Sequence, residues 1–422
     1  MKKVLFCFLI CIISVFSFAS GAAESPDTLV VLHGGDTIFG DTSMFKLSEE
    51  KFHRDYPNIK IVWNKLDLSD GSTLTMDAML AAGTPPNVYT DSMVRASKYM
   101  VKEYAYPLNK VRDLNKYNAG VLDQFYRDGD LMALPQPGGA QAICVNTDIL
   151  KELNYTIPNN WTVDDYLELA EMIKVKYGGK KFITMLFAAN QSGDYLLHNW
   201  FEVFGAHYYA DGNYDNAAIA KTGGEKAYQF YSKLIKNGYV PANAATLSDD
   251  DYAMQWYSGN LVATPFFPSW VAPYFKTAKD QGMSNFNYKF VPFPKASKSG
   301  KGIPLYVNGA AWVVHKTGTE IDKAAARLVE YMNDAEIQGL MAKYVGVPPN
   351  RKDAIYQPTD EGTLDVMFIA KAFGFYDAGV TDPRFTERRS LQYPILQDLF
   401  NGKIKPKEAI ELYESKLSSI KK

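Results

Sequence analysis

Eleven positions carry side chains suited to reversible binding. They are the carboxylates Asp36, Asp41, Asp67 and Asp91, the rings Trp63, Tyr89, Tyr195 and Trp270, and the amides Gln136, Gln141 and Asn308. Carboxylates and amides make paired hydrogen bonds with hydroxyl groups, and aromatic planes stack on weakly polar ring faces. Covalent chemistry has no comparable support: the sequence holds no nucleophile elbow, no HExxH and no P-loop, and its five histidines are scattered. No catalytic residue, metal or cofactor is expected. Each binding candidate also has a plainer role. Asp91 could cap a helix starting at Ser92, and Asp36 and Asp41 sit among glycines as turn residues would. Tyr195 lies near a helix start, and Trp63 alternates with Ile59 and Ile61, as a core strand residue does. Trp270 follows Pro268-Ser269 in a loop after a strand, a setting that favours ligand contact over packing. Trp200 and Trp312 read as core.

The elements that must position these groups centre on Gly129 to Leu150. Leu131 to Leu134 reads as a short strand that stops at Pro135, which cannot donate to a ladder. Pro137-Gly138-Gly139 allows a bend and a close backbone approach. Ala142 to Val145 is a buried apolar run, and Asn146 or Thr147 suits the N-cap of a helix beginning near Asp148. This describes a chain leaving one lobe for another. On its N-terminal side, strand patterns (Thr28–Leu32, Ile59–Trp63, Val88–Thr90) alternate with helical ones (Phe45–Tyr56, Ser72–Ala82), as in an α/β lobe with a largely parallel sheet. Beyond it, Thr162 and Asp165 form a capping box, with Asp in place of the usual Glu, ahead of a helical run to Gly178. Phe182–Phe187 and Gly259–Thr264 read as strands; Tyr195–Phe204 and Glu225–Lys236 read as helices. Leu305–Val314 is an apolar return crossing. Asp322–Met332 and Ala335–Tyr344 form a helix pair, the second capped by Asp334. Gly346–Asn350 breaks the chain a third time, and Leu391–Phe400 and Pro406–Ile420 close it as helices.

Bulk properties agree with two lobes. A chain of 422 residues exceeds one ordinary core. Its net charge of −2 leaves no basic footprint for nucleic acid. Tyr and Phe are abundant, at 28 and 24, and packing is the safer explanation for most of them. Lys2-Lys3, an apolar run from Val4 to Phe18 and the small residues Ala19–Ala23 read as a secretory signal spanning 1–23, cleaved between Gly21 and Glu24. Lipid anchoring at Cys11 ranks second, because Ile10 stands where a small residue is needed. The mature chain then keeps only Cys144, which allows no intramolecular disulfide and reads as an inert buried thiol.

Eight stretches in order carry a resemblance. They are Phe52-x4-Pro57-x-Ile59-x-Ile61, Ala81–Val88, Ala133-Leu134-Pro135 with Val145-Asn146, Trp161-Thr162, Gly259-x2-Val262-Ala263 with Trp270, Ala324-Ala325-x2-Leu328-Val329-x2-Met332, Gly346–Asn350, and Gly402-x3-Pro406-x-Glu408-Ala409. Through them the chain resembles the family 1 extracellular solute-binding proteins of ABC importers, the maltose-binding-protein-like carbohydrate binders. The family's usual Asp is here Asn87, a change expected to touch a local cap. The resemblance implies an α/β two-lobed periplasmic-binding-protein fold of class II type, with the ligand cleft between lobes joined by three hinge crossings. One lobe would comprise 24–138 plus 306–346 and the other 142–303 plus 350–422, with hinges near 137–141, 303–309 and 346–350. It further implies a monomer that captures a sugar or oligosaccharide by hinge closure and hands it to permease subunits. Asp91, Trp270 and roughly Tyr195 fall where the family places binding residues. A polyamine would need acids boxed by aromatics, which the candidate set does not exclude. A sugar phosphate would need Arg or Lys aimed at the anion, whereas Arg95, Arg384, Arg388 and Arg389 have settings that look solvated. A secreted glycosidase stands last.

Overall fold

The computed structural model describes residues 27–66, 72–118, 121–209, 216–268, 286–356, 361–376 and 384–420. The expected signal segment, Asp67 and Trp270 lie outside the described residues, and Tyr195 and Asn308 are placed by their backbone alone.

The first core is built on β1 (Thr28–His33), whose residues from Leu29 to His33 are all buried. A strand covered on both faces belongs at the centre of a sheet. It pairs in parallel with β4 (Lys60–Lys65) and β5 (Val88–Ser92). The antiparallel β14 (Ala310–Val314) and β8 (Leu134–Pro135) complete the order β4-β1-β5-β14-β8. Pro135 thus ends an edge strand, where its missing N–H costs no ladder bond. The run expected as one strand is split: Leu131 ends β7 (Asp130–Leu131), which pairs with β6 (Tyr126–Arg127) in a separate hairpin. A second small hairpin, β2 (Ile38–Phe39) with β3 (Thr42–Ser43), leads into α1 (Met44–Asp55). Asn87 is no helix cap. Its side-chain oxygen accepts from the Val30 N–H at 2.8 Å, while its own N–H donates to the Val30 carbonyl at 2.9 Å. It clamps the entry of β5 onto β1.

The second core surrounds β10 (Ala142–Asn146), flanked antiparallel by β11 (Ala263–Phe266) and β12 (Tyr288–Val291). The expected strand Phe182–Phe187 forms no ladder; it is bridged at Phe182–Leu261, and the Ile183 N–H goes to the Tyr239 carbonyl. The side chains from Ile183 to Phe187 are buried, which explains the apolar run that suggested a strand. Around this sheet stand α4 (Thr147–Glu152), α5 (Val163–Tyr177), α6 (Asp194–Phe204), α7 (Gly224–Lys236) and α8 (Asp249–Tyr257). Asn146 caps α4, and the Thr162–Asp165 box makes both of its bonds. Aromatic residues fill the interior: Trp200 packs on Phe230 at 4.4 Å and edge-on to Tyr166 at 5.3 Å. Cys144 is enclosed there, and burial pushes its thiol pKa well up. On the first lobe lie α2 (Ser72–Ala81), α3 (Met93–Ala96), α9 (Ile321–Met332) and α10 (Ala335–Val345, capped by Asp334).

Between the cores runs a third sheet in the order β15-β13-β9. It pairs β13 (Leu305–Asn308) with β9 (Gly139–Ala140) on one side and with β15 (Phe375–Tyr376) on the other. The chain leaves the first core after Leu134 and enters the second at Ala140; it returns between Leu305 and Ala311. Residues 346–353 stay on the first lobe. The Asn118 N–H donates to the Asn350 carbonyl, Asn350 Nδ2 donates to Pro135, and Arg351 pairs with Asp353. The chain next joins the second core in α11 (Glu361–Phe373), at Val366. Two further helices end it: α12 (Phe385–Phe400), which starts six residues ahead of the expected Leu391, and α13 (Pro406–Ser419).

Replacing Asn87 with Ala leaves the buried Val30 N–H without its acceptor and is expected to cost about 1–3 kcal/mol. Asn87→Asp keeps an acceptor and is expected to lose less. Urea unfolding followed through tryptophan fluorescence checks both.

Candidate functional site

Asp91, the next-to-last residue of β5, is a pivot on the first lobe. Its carboxylate is 2% exposed and accepts from the Tyr89 hydroxyl at 2.8 Å, the Ser92 N–H at 2.6 Å and Arg95 Nε at 2.9 Å. Arg95 Nη2 lies 2.8 Å away, and the Arg95 side chain stays a quarter exposed. Asp91 therefore bonds the N–H of the residue at the start of α3 and also fixes a cation that reaches solvent. Tyr89, expected as a ligand contact, is fully buried, and burial followed by the Asp91 charge raises its hydroxyl pKa. Its ring packs edge-on to Tyr99, so it positions Asp91 and presents no stacking face.

Asp36 and Trp63 come together elsewhere. Asp36 is exposed and caps the turn before α1, accepting from the Thr37 and Phe45 N–H groups. Trp63 is half-buried, stacks on Phe45 at 4.0 Å and donates from Nε1 to Glu49. Both line one groove made wholly of first-lobe residues. Asp41 is exposed in the β2–β3 hairpin.

Gln136 is half-buried at the first crossing, its N–H donating to Ala310. Gln141, expected to face a ligand, is buried with its side-chain oxygen accepting from Asn199 Nδ2. It borders a small recess with Phe187, Asp249, Tyr252, Phe266 and Phe267 on the second lobe. Asn308 lies opposite Gly139 in the crossing sheet.

The second lobe holds a buried ionic cluster that the sequence did not reveal. Asp194, the first residue of α6, receives Arg389 in a two-pronged pair, Nη2 to Oδ1 at 2.7 Å and Nε to Oδ2 at 2.5 Å. His198 Nε2 stands 3.5 Å from the same carboxylate, and His198 Nδ1 is 3.1 Å from the Tyr208 hydroxyl. The Arg388 guanidinium lies over the Tyr208 ring at 3.8 Å and the Phe385 ring at 4.4 Å. Arg388 and Arg389 are thus buried, correcting the expectation of solvated arginines; Arg389 is only 5% exposed. Helical spacing could not show this, since the partner carboxylate lies 195 residues away. Phe385 is fully buried, belongs to the first core and stacks on His198 at 6.2 Å. The first turn of α12 therefore touches both lobes. Burial alone would raise the Asp194 pKa, but the charges of Arg389 and His198 outweigh it and hold the carboxyl far below its usual range. Burial lowers the His198 pKa against the pull of Asp194.

With this geometry in view, the relatives are informative. A model of the bacterial extracellular solute-binding protein family matches residues 49–365, and the chain belongs to that family. An uncharacterized ABC transporter extracellular-binding protein of Pyrococcus horikoshii is 25% identical over 339 residues, covering 77% of this chain and 72% of the relative. Two solved structures share the two-lobed fold. A Thermotoga lettingae solute-binding protein bound with alpha-D-tagatose superposes with a TM-score of 0.75 at 17% identity, over 93% of this chain and 99% of the other. A Listeria monocytogenes ABC substrate-binding protein in complex with cycloalternan gives 0.73 at 12% identity, over 92% and 97%. Family and fold are those of solute-binding transport proteins and not of enzymes.

Asp194→Asn strands the buried Arg389 charge and is expected to cost about 3–5 kcal/mol, whereas Asp194→Leu with Arg389→Met removes both charges and costs less. Because the His198 pKa is lowered on folding, its contribution is complete above the ordinary value of 6.5 and is lost as pH falls from there toward the lowered value. The Asp194 contribution follows the same sign, fading only below 3.8. Stability is therefore expected to drop between neutral pH and the carboxylate range, and by less in His198→Gln. Denaturant unfolding across that interval measures it.

Proposed function

We propose that this solute-binding protein captures a neutral sugar or short oligosaccharide in the cleft between its lobes and delivers it to the permease of an ABC importer. The observation that carries the reading is the pairing of the crossing strands β9 and β13 between two separate cores, with Asp91–Arg95 on one side and Asp194–Arg389 on the other. Such an arrangement suits hinge closure, the way periplasmic binding proteins enclose their ligands. The sugars bound in the similar Thermotoga and Listeria structures support the ligand class.

Charge supports neutrality of the ligand. Arg95 is neutralised by Asp91 and Arg389 by Asp194, while Arg388 is stacked between Tyr208 and Phe385. Arginines so engaged make a poor receptor for a sugar phosphate. In this reading Arg95, held by Asp91, donates to a ligand hydroxyl, and Trp270 and Tyr195 supply stacking surfaces. Asp67, Gln136 and Asn308 complete the polar lining. Tyr89 and Gln141 hold their neighbours in place. The segment 1–23 serves as a cleaved export signal.

A thermal-shift panel on the chain from Glu24 onward, refolded to strip carried-over ligand, tests this. A saccharide at about 100 times its Kd should add about 2.7 kcal/mol, a rise of several degrees. The shift is expected to vanish in Trp270→Ala and to shrink in Arg95→Gln, with no reducing ends released from the saccharide. A shift confined to glycerol phosphate, or retained in both variants, would overturn the assignment.

A further inference from the structure

We propose that the recess beside Gln141 on the second lobe receives the acetamido group of an N-acetylated amino sugar. The inference rests on the reading that the cleft takes a saccharide, and it names the class of saccharide.

The recess lies where the chain arrives from the crossing. Gln141 directly follows Ala140 of β9, and Ala142, which opens β10, lies opposite Phe266 of β11. Its walls are Phe187, Leu196, Tyr252, Phe266 and Phe267, all of them buried. The Tyr252 ring tilts against Phe187 at 5.4 Å and against Phe266 at 5.7 Å. Its hydroxyl is engaged by Thr264 at 2.7 Å and by the Pro265 carbonyl, so what it offers the recess is carbon surface. The free volume is about 10 Å³, roughly one water-sized sphere, which admits a methyl group and excludes a ring. A pit lined by such residues favours an apolar occupant over water.

Two polar groups border this apolar pit. Gln141 is only 1% exposed, and its side-chain oxygen accepts from Asn199 Nδ2. Its amide nitrogen has no acceptor among the described residues and, unlike the sealed polar atoms of the core, keeps accessible surface. A donor so buried calls for a partner from whatever enters the recess. Asp249, the first residue of α8, is half-buried, and its carboxylate makes no hydrogen bond or ion pair among the described residues. The cap of α8 does not use it, because Ser248 and Asp251 make that box.

A methyl-sized apolar pit, one amide donor and one carboxylate acceptor match the three parts of CH3–CO–NH. The methyl fills the pit, the carbonyl accepts from Gln141 Nε2, and the N–H donates to Asp249. A hydroxyl at the same sugar position has no apolar end. A free ammonium group could meet Asp249 but would leave the pit and the Gln141 donor unfilled.

The test is calorimetric titration of the refolded chain from Glu24 with paired probes: N-acetylglucosamine with glucose, N-acetylgalactosamine with galactose, and diacetylchitobiose with cellobiose. In the pair that binds, the acetamido member is expected to be tighter by about tenfold or more, because a site built to pair a polar group rejects the analogue that lacks it. N-propionylglucosamine, one carbon too long, and glucosamine should both lose that advantage. Asp249→Ala removes the acceptor without touching the α8 capping box. Gln141→Glu keeps an oxygen for Asn199 and replaces the donor. Each should bring the ratio within a pair toward one, with urea midpoints showing that the variants fold. Equal affinity within every pair, or a ratio undiminished in both variants, would overturn the proposal while leaving the saccharide reading intact. Silence from every probe, acetylated or not, would overturn both.

Discussion

The structure depends on a pairing of strands that belong fully to neither lobe. Ala140 and Gly139 of β9 lie opposite Val307 and Asn308 of β13, and β13 also pairs with β15. Two passages of the chain between the cores are thus tied by backbone hydrogen bonds and must turn together. Space there is tight: a Cβ on Gly309 would come within 3.2 Å of the Gln136 carbonyl. The Gly309 carbonyl in turn accepts from the Met93 N–H at the start of α3, so the crossing is linked directly to the strand end that carries Asp91. The crossing strands thereby form a narrow, ordered seam between the two cores.

Buried charge is arranged around that seam in pairs. Asp91 with Arg95 and Asp194 with Arg389 contribute less to net stability than their short distances suggest, because removing both ions from water offsets most of the attraction. Their value is geometric. Each fixes the first residues of a helix, α3 in one lobe and α6 in the other, close to the crossing. The turn that begins α12 then reaches across, with Arg389 anchored in one lobe and Phe385 seated in the core of the other. Charged anchors and an apolar plug in one helical turn couple the two halves without a covalent link.

Much of the fold was legible because local chemistry announced it. Asn146, Thr162 with Asp165, and Asp334 cap helices as their types and spacing required, and Gly178, Gly205 and Gly346 end helices in the left-handed conformation that glycine tolerates. The same signal, Ser248 with Asp251, opens α8, a helix that the sequence reading passed over. Phe182–Phe187 misled because burial alone produces an apolar run, whether or not a ladder forms. The site was harder. Asp36 and Trp63 were singled out for the right residue types, yet the register that places Trp63 opposite Val31 turns it toward α1 and into a groove of its own. Arg388 and Arg389 looked like a solvated helix face because their partners, Asp194 and Tyr208, are remote in sequence and only the fold brings them together.

The central claim is that the lobes close about the paired crossing strands when a saccharide enters between them. Small-angle X-ray scattering of the chain, with and without a saturating saccharide, addresses it most directly. A smaller radius of gyration in the bound state is the expected result. An unchanged radius with the saccharide demonstrably bound would contradict the claim.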